Sequence, residues 1–296
     1  MSRGGAADAA ATVRENSGAT YMRSALYVPG DRPDMLAKAP GRGADALVID
    51  LEDAVAPGDK DRARSIVAQW LAQRHAAGAA DGRGPGIWVR VNPGERGHDD
   101  VRAVLGTGVT GFFVAKSQSP EDVGAVAELL DDEPSAVLCP VLESAAAVLA
   151  APLIARCPRV ARLQLGEADL RADLGVDPSP GEPELLWARS QLVLASAAAG
   201  LAAPMAPAGT DVRDLEALRL STVAFKRMGY RGRTCVHPGQ IPVVHEVFTP
   251  TPGELADARD LLRRFDSAQG GAMLDGAGRM VDEAVIRRAR RLLSGR

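Results

Sequence analysis

The sequence contains few aromatic residues and has no excess of basic ones. Aromatic residues make up 4% of its 296 residues, and 35 basic residues stand against 38 acidic ones, so the net charge is −3. A nucleic-acid-binding surface needs clustered positive charge and side chains on which bases can stack. The composition therefore gives no support for a nucleic-acid partner.

Cysteine is also scarce. The three cysteines, Cys139, Cys157 and Cys235, are odd in number, and no two of them have CxxC spacing. A disulfide framework or a structural zinc site is therefore not expected. Cys139 lies within an apolar run typical of a buried strand, and none of the three stands where a reactive thiol is expected.

Long apolar runs are missing as well. No uncharged stretch is long enough to cross a bilayer, and residues 1–20 have no apolar core like that of a signal peptide. From these features we expect no membrane partner, a disordered lead-in over residues 1–20, and a cytoplasmic enzyme.

Eight short apolar runs alternate with helical segments between residues 21 and 245. The alternation predicts an α/β fold, a (β/α)₈ TIM barrel. A doubly wound sheet is the alternative, but no GxGxxG or GxxxxGK[ST] motif supports it. The predicted strands are 24–28, 46–49, 87–91, 111–115, 136–142, 161–165, 202–206 and 233–236. The predicted helices include 33–39, 60–75, 99–105, 120–130, 183–200 and 211–229.

The remaining residues, 246–296, predict a C-terminal helical extension or lid beyond the catalytic barrel domain of residues 21–245. Two helical segments, 254–269 and 282–293, flank a glycine-rich stretch in which apolar residues alternate. This stretch is typical of a hairpin or a lid loop.

Acidic residues follow three of the predicted strands. Asp50, Glu52 and Asp53 follow the second, Glu143 follows the fifth, and Glu167 and Asp169 follow the sixth. The carboxyl ends of barrel strands carry the chemistry in TIM barrels, and paired carboxylates suit a hard cation such as Mg²⁺. Each acid alone could instead cap a helix or pair with a basic residue, but the set favours a site.

Basic residues lie at the ends of three further strands. Arg90 could hold a carboxylate or phosphate with two parallel hydrogen bonds, or pair with a strand-end acid, and Lys116 has the same two interpretations. His237, after the eighth strand, is a candidate base, phosphate ligand or loop-capping group. No GxSxG motif is present to support acyl transfer by a serine.

Six motifs in order along the chain resemble one family. They are RSALYVPG at 23–30, DLEDAV at 50–55, VRVN at 89–92, LESA at 142–145, HPGQI at 237–241 and GRMVD at 278–282. Together they resemble the HpcH/HpaI aldolase and citrate lyase β-subunit superfamily, in particular its acyl-CoA lyase branch of malyl-CoA, citramalyl-CoA and citryl-CoA lyases. The resemblance covers residues 23 to about 293.

This resemblance implies a TIM barrel and a Mg²⁺ ion, with Mn²⁺ as an alternative, in an enzyme that cleaves or forms a 3-hydroxyacyl-CoA through an enolate of the acyl thioester. It implies that Glu143 and Asp169 are the metal ligands and that Arg90 grips the oxo acid. The implied partners are an acyl-CoA and a 2-oxo acid, within a homotrimer or hexamer.

The resemblance implies further roles outside this set. Glu52 and Asp53 would hold metal-bound waters and the arginine. Asp282 would reach a neighbouring subunit's site as an acid/base. Arg23 and Lys38 would lie toward the CoA phosphates.

Two alternative functions remain open. The first is a malate synthase or thioesterase activity that uses the same enolate chemistry. The second is a non-catalytic or complex-bound β-type subunit that acts on an acyl-carrier-protein thioester.

The chain departs from the family pattern near the predicted site. The family often has Gly-Ala-Glu-Asp after strand six, whereas residues 166–169 read Gly-Glu-Ala-Asp, so the glutamate has moved to Glu167. Residues 115–118 read Ala-Lys-Ser-Gln in place of Pro-Lys-Thr-Glu, and residues 208–212 replace a Tyr-Thr-Asp-Phe-type segment. These changes surround the predicted pocket and could alter which acyl group fits.

Overall fold

A computed structural model describes residues 22–78, 84–267, 273–275 and 278–294 of the chain. The predicted disordered lead-in over residues 1–20 lies outside these residues. The chain divides into two compact units, with the boundary between Glu246 and Val247.

The first unit is a closed barrel of eight parallel strands, in which each strand pairs with the next and β8 pairs with β1. This confirms the predicted TIM-barrel fold. The strands are β1 Ser24–Pro29, β2 Ala46–Asp50, β3 Gly86–Val91, β4 Gly111–Val114, β5 Val137–Leu142, β6 Gln164–Leu165, β7 Met205–Ala206 and β8 Gly232–Cys235.

Helices connect the strands of the barrel. They are α1 Pro33–Lys38, α2 Lys60–Ala76, α3 Gly94–Val104, α4 Pro120–Glu128, α5 Ala145–Ile154, α6 Glu167–Leu174, α7 Leu186–Ala198, α8 Leu215–Met228 and α9 Ile241–Phe248. Local sequence fixes several of their starts. Ser119 caps α4 as predicted, since its hydroxyl accepts from the Asp122 amide at 3.2 Å while the Asp122 carboxylate accepts from the Ser119 amide at 3.0 Å.

Side chains of alternate strand residues fill the barrel interior. Val48, Trp88, Phe113, Cys139 and Met205 are buried there in one apolar cluster. The rings of Trp88 and Phe113 meet edge to face, with centroids 5.3 Å apart. The interior is thus a packed core, and polar side chains are left to gather at the strand ends.

Strands β6 and β7 are shorter than the sequence predicts, with two residues each in place of five. Pro204 and Pro207 flank β7, and proline has no amide hydrogen to donate to a sheet. Single hydrogen bonds still hold the chain beside its neighbours, from the Ala161 amide to the Leu138 carbonyl and from the Ala202 amide to the Ala161 carbonyl, each 3.0 Å long.

Two helices begin four or more residues from their predicted starts. Helix α3 begins at Gly94, five residues before the predicted start, and its first turn packs so closely on Asn92 that a Cβ atom at Gly97 would collide with the Asn92 carbonyl oxygen. Helix α8 begins four residues later than predicted. The Asp214 side chain caps it by accepting from the Ala217 amide at 2.8 Å.

The second unit contains α10 Pro252–Ser267, the antiparallel pair β9 Met273–Leu274 and β10 Met280–Val281, and α11 Glu283–Ser294. Its core is built around Phe265, Val281 and Ile286. The predicted hairpin is confirmed for the four paired residues. Across both units, no helix of the described chain is both long enough and apolar enough to cross a membrane.

Candidate active site

Charged side chains at the ends of five neighbouring strands, β2 to β6, meet at the carboxyl end of the barrel. Asp50 ends β2, Arg90 is the second-last residue of β3, Lys116 follows β4, and Glu143 follows β5 directly. Asp169 lies in the first turn of α6, after β6. Because all strands are parallel, these positions belong to the same end of the barrel.

Arg90 is fixed in place by the acids that follow β2. Its guanidinium donates to the two carboxylate oxygens of Asp50 at 2.8 and 2.5 Å, and Nη1 lies 3.1 Å from Glu52. The Tyr27 ring covers it at 5.0 Å. Asp53 is farther away at 3.9 Å and is exposed. An arginine has five N–H donors, so Arg90 keeps donors for a substrate oxygen after binding these acids.

Lys116 lies among four carboxylates. Its ammonium is 2.7 Å from Glu52, 3.5 Å from Asp169, 3.6 Å from Asp53 and 3.7 Å from Glu143. Its backbone has a φ of +51°, a left-handed conformation that non-glycine residues rarely adopt and that is common at functional sites. The sequence predicts for Lys116 either a contact with a ligand carboxylate or phosphate, or an ion pair with a strand-end acid, and the structure shows the ion pairs.

Glu143 and Asp169 lie close enough for each carboxyl group to shift the pKa of the other. Burial raises the pKa of Glu143 to about 8, and a hydrogen bond with Asp169 acts in the same direction. The same hydrogen bond and the nearby Lys116 hold the pKa of Asp169 below its ordinary value. The residue after Glu143, Ser144, caps α5 by accepting from the Ala147 amide at 3.2 Å.

The pair fits a divalent cation. Oε2 of Glu143 is buried and has no hydrogen-bond partner within the described residues. In that same part of the chain, no group of three or more His, Cys, Asp or Glu side chains converges on a metal-sized space. Mg²⁺ is usually bound through one or two carboxylates and keeps several waters, so two carboxylates with a spare acceptor suit it.

Glu167 is bound elsewhere. It is the first residue of α6, it is 7% exposed, and its carboxylate accepts from Arg189 of α7 at 2.6 and 2.7 Å. The sequence left open whether Glu167 was a third ligand or a displaced residue. The structure places it in a buried ion pair two residues before Asp169.

Arg23 and Lys38 are not brought to this cluster. Arg23 precedes β1 at the amino end of the barrel, and its guanidinium is bound to Asp45 at 2.9 and 2.7 Å. Lys38 is exposed at the last position of α1. The implied position of Arg23 toward the CoA phosphates does not match this location, because the cluster lies at the opposite end of the barrel.

Asp282 lies in the second unit. It precedes α11, and its carboxylate accepts from the amides of Ala284 at 2.9 Å and Val285 at 3.2 Å. It is thus the N-cap of that helix. Its predicted role at a neighbouring subunit's site stays a prediction.

The other candidates have structural roles. His237 caps a short 3₁₀ turn, since its Nδ1 accepts from the Gly239 amide at 3.1 Å. The three cysteines are buried and unpaired, and burial raises the pKa of Cys139 and of Cys235 to about 12. A thiol of this kind stays protonated at neutral pH and is a poor nucleophile.

A cavity of about 1010 Å³ opens at this end of the barrel. Arg90, Glu143 and Asp169 line one part of it, and Arg189 and Arg233 line another. Its volume is at the upper end for small-molecule sites, which bury most of a ligand's surface. Charged groups that can hold oxygens therefore face a space large enough for an extended ligand.

The family profile of HpcH/HpaI aldolase/citrate lyase matches residues 23–238. The chain belongs to this family. The family match covers all eight barrel strands, so the resemblance to this family is confirmed.

Relatives and solved structures of the HpcH/HpaI aldolase/citrate lyase family match nearly the full chain. A citrate lyase subunit beta-like protein of Deinococcus radiodurans is 36% identical, over 94% of this chain and 99% of its own. A (3S)-malyl-CoA thioesterase of Cereibacter sphaeroides is 35% identical, over 92% and 94%. The crystal structure of protein CitE from Mycobacterium tuberculosis, in complex with magnesium, acetoacetate and coenzyme A, matches with a TM-score of 0.76 and 28% identity, over 94% and 98%.

Proposed function

We propose that this protein is a divalent-cation-dependent carbon–carbon lyase that cleaves a 3-hydroxyacyl-CoA into a shorter acyl-CoA and a 2-oxo acid, or forms it in reverse. The observation that carries the proposal is the convergence of Arg90 with the carboxylates of Glu143 and Asp169 on one large cavity. The magnesium and coenzyme A bound to the mycobacterial CitE protein support the choice of cation and thioester.

Arg90 binds the carboxylate of the oxo-acid portion. Asp50 and Glu52 hold its guanidinium at 2.5–3.1 Å, so its remaining donors are fixed in direction before substrate arrives. A planar guanidinium matches a carboxylate with two parallel hydrogen bonds. Such preorganisation reduces the entropy lost on binding.

Glu143 and Asp169 hold the cation, Mg²⁺ or alternatively Mn²⁺. When bound, the cation supplies Lewis-acid polarisation of the oxygen on the carbon where the bond breaks. The positive charges of Lys116 and Arg90 offset the repulsion among the surrounding carboxylates. The buried carboxylate of Glu52 contacts both Lys116 and Arg90. Glu52 and Asp53 would accept hydrogen bonds from water molecules at the cation.

In the cleavage direction the substrate hydroxyl loses its proton and becomes the carbonyl of the oxo acid. The carbon–carbon bond breaks, and its electron pair becomes the enolate of the acyl thioester. A proton must then reach the enolate carbon to give the shorter acyl-CoA. We assign both proton transfers to Asp282, acting between subunits of a homotrimer or hexamer: its carboxylate accepts the hydroxyl proton as a general base and then returns that proton to the enolate carbon as a general acid.

Thioester hydrolysis is the second candidate function. A relative at 35% identity is named (3S)-malyl-CoA thioesterase, so water attack on the thioester belongs to the chemistry to be tested. Relatives named citrate lyase subunit beta, such as that of Leuconostoc mesenteroides at 29% identity, favour testing a carrier-protein thioester as well.

One product analysis separates these functions. Purified protein is incubated with Mg²⁺ and malyl-CoA, citramalyl-CoA or citryl-CoA, and the products are quantified by mass spectrometry. The lyase yields equal amounts of shorter acyl-CoA and 2-oxo acid, whereas a thioesterase yields free CoA and the intact hydroxy acid. Activity only on a carrier-protein thioester would contradict the CoA assignment.

A further inference from the structure

Glu167 and Arg189 form a buried ion pair beside the proposed metal ligand Asp169. Two hydrogen bonds of 2.6 and 2.7 Å join them, and each side chain is 7% exposed. Glu167 is the first residue of α6 and Arg189 lies in α7. Asp169 follows in the same helical turn as Glu167, so whatever fixes that turn also fixes Asp169.

A second acid extends the pair into a network. Glu182, in the segment between α6 and α7, contacts both Arg189 and Arg171. Arg171 lies one turn after Glu167 on α6 and is 3.5 Å from it. The network therefore binds α6 on both sides of Asp169. Glu182 has a φ of +55°, a left-handed conformation that non-glycine residues rarely adopt and that persists only where the surrounding structure holds it.

Arg189 is itself held by its surroundings. Its guanidinium lies 4.7 Å from the centre of the Phe225 ring, and the buried Tyr230 hydroxyl donates to the Arg189 carbonyl oxygen at 3.1 Å. Contacts from Phe225 of α8 and from Tyr230, just before β8, therefore hold Arg189 in place. Through Glu167, Arg189 in turn holds α6.

Helix α6 needs such an attachment. It has eight residues, and Gly166 at its N-cap offers no side chain to accept from the first amides. The first turn of a short uncapped helix frays easily. A metal ligand must stay within about 0.5 Å of its productive position, which a fraying turn does not ensure.

We propose that Glu167 and Arg189 are positioning residues that hold Asp169 in place to ligate the divalent cation. This inference rests on the proposed function, which assigns Asp169 as a ligand. This positioning role explains why the carboxylate of Glu167 is bound to Arg189. Its charge anchors the helix that carries the ligand.

Direct binding of Mn²⁺ to the full-length protein, measured by electron paramagnetic resonance, tests the proposal without an activity assay. Loss of an outer partner typically weakens metal binding by about 10–100-fold. We therefore expect Arg189→Met and Glu167→Gln each to raise the Mn²⁺ dissociation constant by about tenfold. Arg189→Lys keeps the charge but not the paired bonds, and its constant should fall between those of Arg189→Met and the wild type.

The matched control is Arg23→Met, which breaks a similar arginine–aspartate pair at the other end of the barrel. It should leave the Mn²⁺ dissociation constant unchanged. Both changes remove the same contact, so their effects should not add. The Mn²⁺ dissociation constant of the double variant Glu167→Gln with Arg189→Met should therefore not exceed the higher of the two single-variant constants. Glu167→Gln preserves side-chain shape, so it keeps the test informative if Arg189→Met does not fold.

Two outcomes separate the proposals. If Glu143→Gln and Asp169→Asn lose Mn²⁺ while folded Glu167→Gln and Arg189→Lys bind it like the wild type, the positioning role is overturned and the metal site stands. If Glu143→Gln and Asp169→Asn themselves bind Mn²⁺ like the wild type, the proposed function is overturned.

Discussion

The side chain of Glu143 packs directly against Gly166. A Cβ atom on residue 166 would lie 2.9 Å from Cδ of Glu143 and closer still to its Cγ. The two residues follow neighbouring strands, β5 and β6, and the Gly166 amide donates to the Leu142 carbonyl at 2.9 Å. The Glu143 side chain, a proposed metal ligand, therefore occupies the space that a side chain at position 166 would need.

Gly166→Ala should displace the Glu143 carboxylate and weaken the cation site. We expect a Mn²⁺ dissociation constant raised by about tenfold and a destabilisation of about 1–3 kcal/mol from overpacking. Isothermal titration calorimetry and urea unfolding measure the two effects. Gly124→Ala is the control, because a Cβ atom there meets no atom within 4 Å and alanine favours the α4 helix. Unchanged Mn²⁺ affinity in Gly166→Ala would contradict the role of Glu143.

Lys116→Met should tighten divalent-cation binding. The Lys116 ammonium contacts Glu143 and Asp169 at 3.7 and 3.5 Å, so it competes with a cation for their oxygens. Removing one positive charge near a partly exposed site should make the free energy of cation binding more favourable by about 1 kcal/mol or more. This corresponds to an affinity gain of several-fold. The measurement is a Mn²⁺ titration, with Lys38→Met as the exposed control. Weaker binding would mean instead that Lys116 holds the two carboxylates in their ligating positions.

The pair of Arg23 and Asp45 should contribute to stability rather than to activity. Burial raises the pKa of Asp45, but hydrogen bonds from the Arg23 side chain and backbone outweigh this and lower it overall. A lowered pKa gives stability that is present above the unfolded value of about 3.9 and is lost as pH falls through the folded pKa. Arg23→Met should therefore cost about 1–2 kcal/mol at pH 7, and less below pH 4.

Urea unfolding at pH 7 and at pH 3.5 checks this prediction. His245 also faces Asp45, at 3.6 Å, and burial together with Arg23 lowers the pKa of His245, so the comparison is repeated in a His245→Gln background. A loss of acyl-CoA affinity in Arg23→Met, without a change in stability, would return Arg23 to the substrate site.

Asp282 should act in a subunit other than its own. Asp282→Ala should bind Mn²⁺ normally while turnover falls by about 100-fold or more, the contribution typical of a general acid. Mixing Asp282→Ala with Arg90→Ala protein should restore part of the activity, because some mixed sites then contain both groups. No recovery after exchange verified by mass spectrometry would place the complete site within one chain.

The barrel fold and most of the charged residues at its carboxyl end could be predicted from the sequence, because the carboxyl ends of parallel strands lie on one face of the barrel. The acids after β2, β5 and β6 are local features of the sequence, and so is Arg90 near the end of β3. The bounds of β6 and β7 were less predictable, since Pro204 and Pro207 interrupt pairing that the apolar pattern alone suggested.

Two features of the site depend on contacts that no local pattern encodes. Lys116 reaches four acids from three other strand ends, and its left-handed backbone directs it there. Glu167, at the start of α6, binds Arg189 of α7, which is 22 residues away in sequence. From its position in the sequence alone, a carboxylate that binds a distant arginine cannot be distinguished from a metal ligand.

The dependence of 2-oxo acid release on Mg²⁺ concentration tests whether Asp169 binds a cation that lyase activity requires, with the wild type and Asp169→Asn compared on the best of the three acyl-CoA substrates. We expect saturable activation of the wild type, no release in EDTA, and a loss of release in Asp169→Asn at Mg²⁺ concentrations that saturate the wild type. Release that persists in EDTA, or one Mg²⁺ curve shared by both proteins, would contradict it.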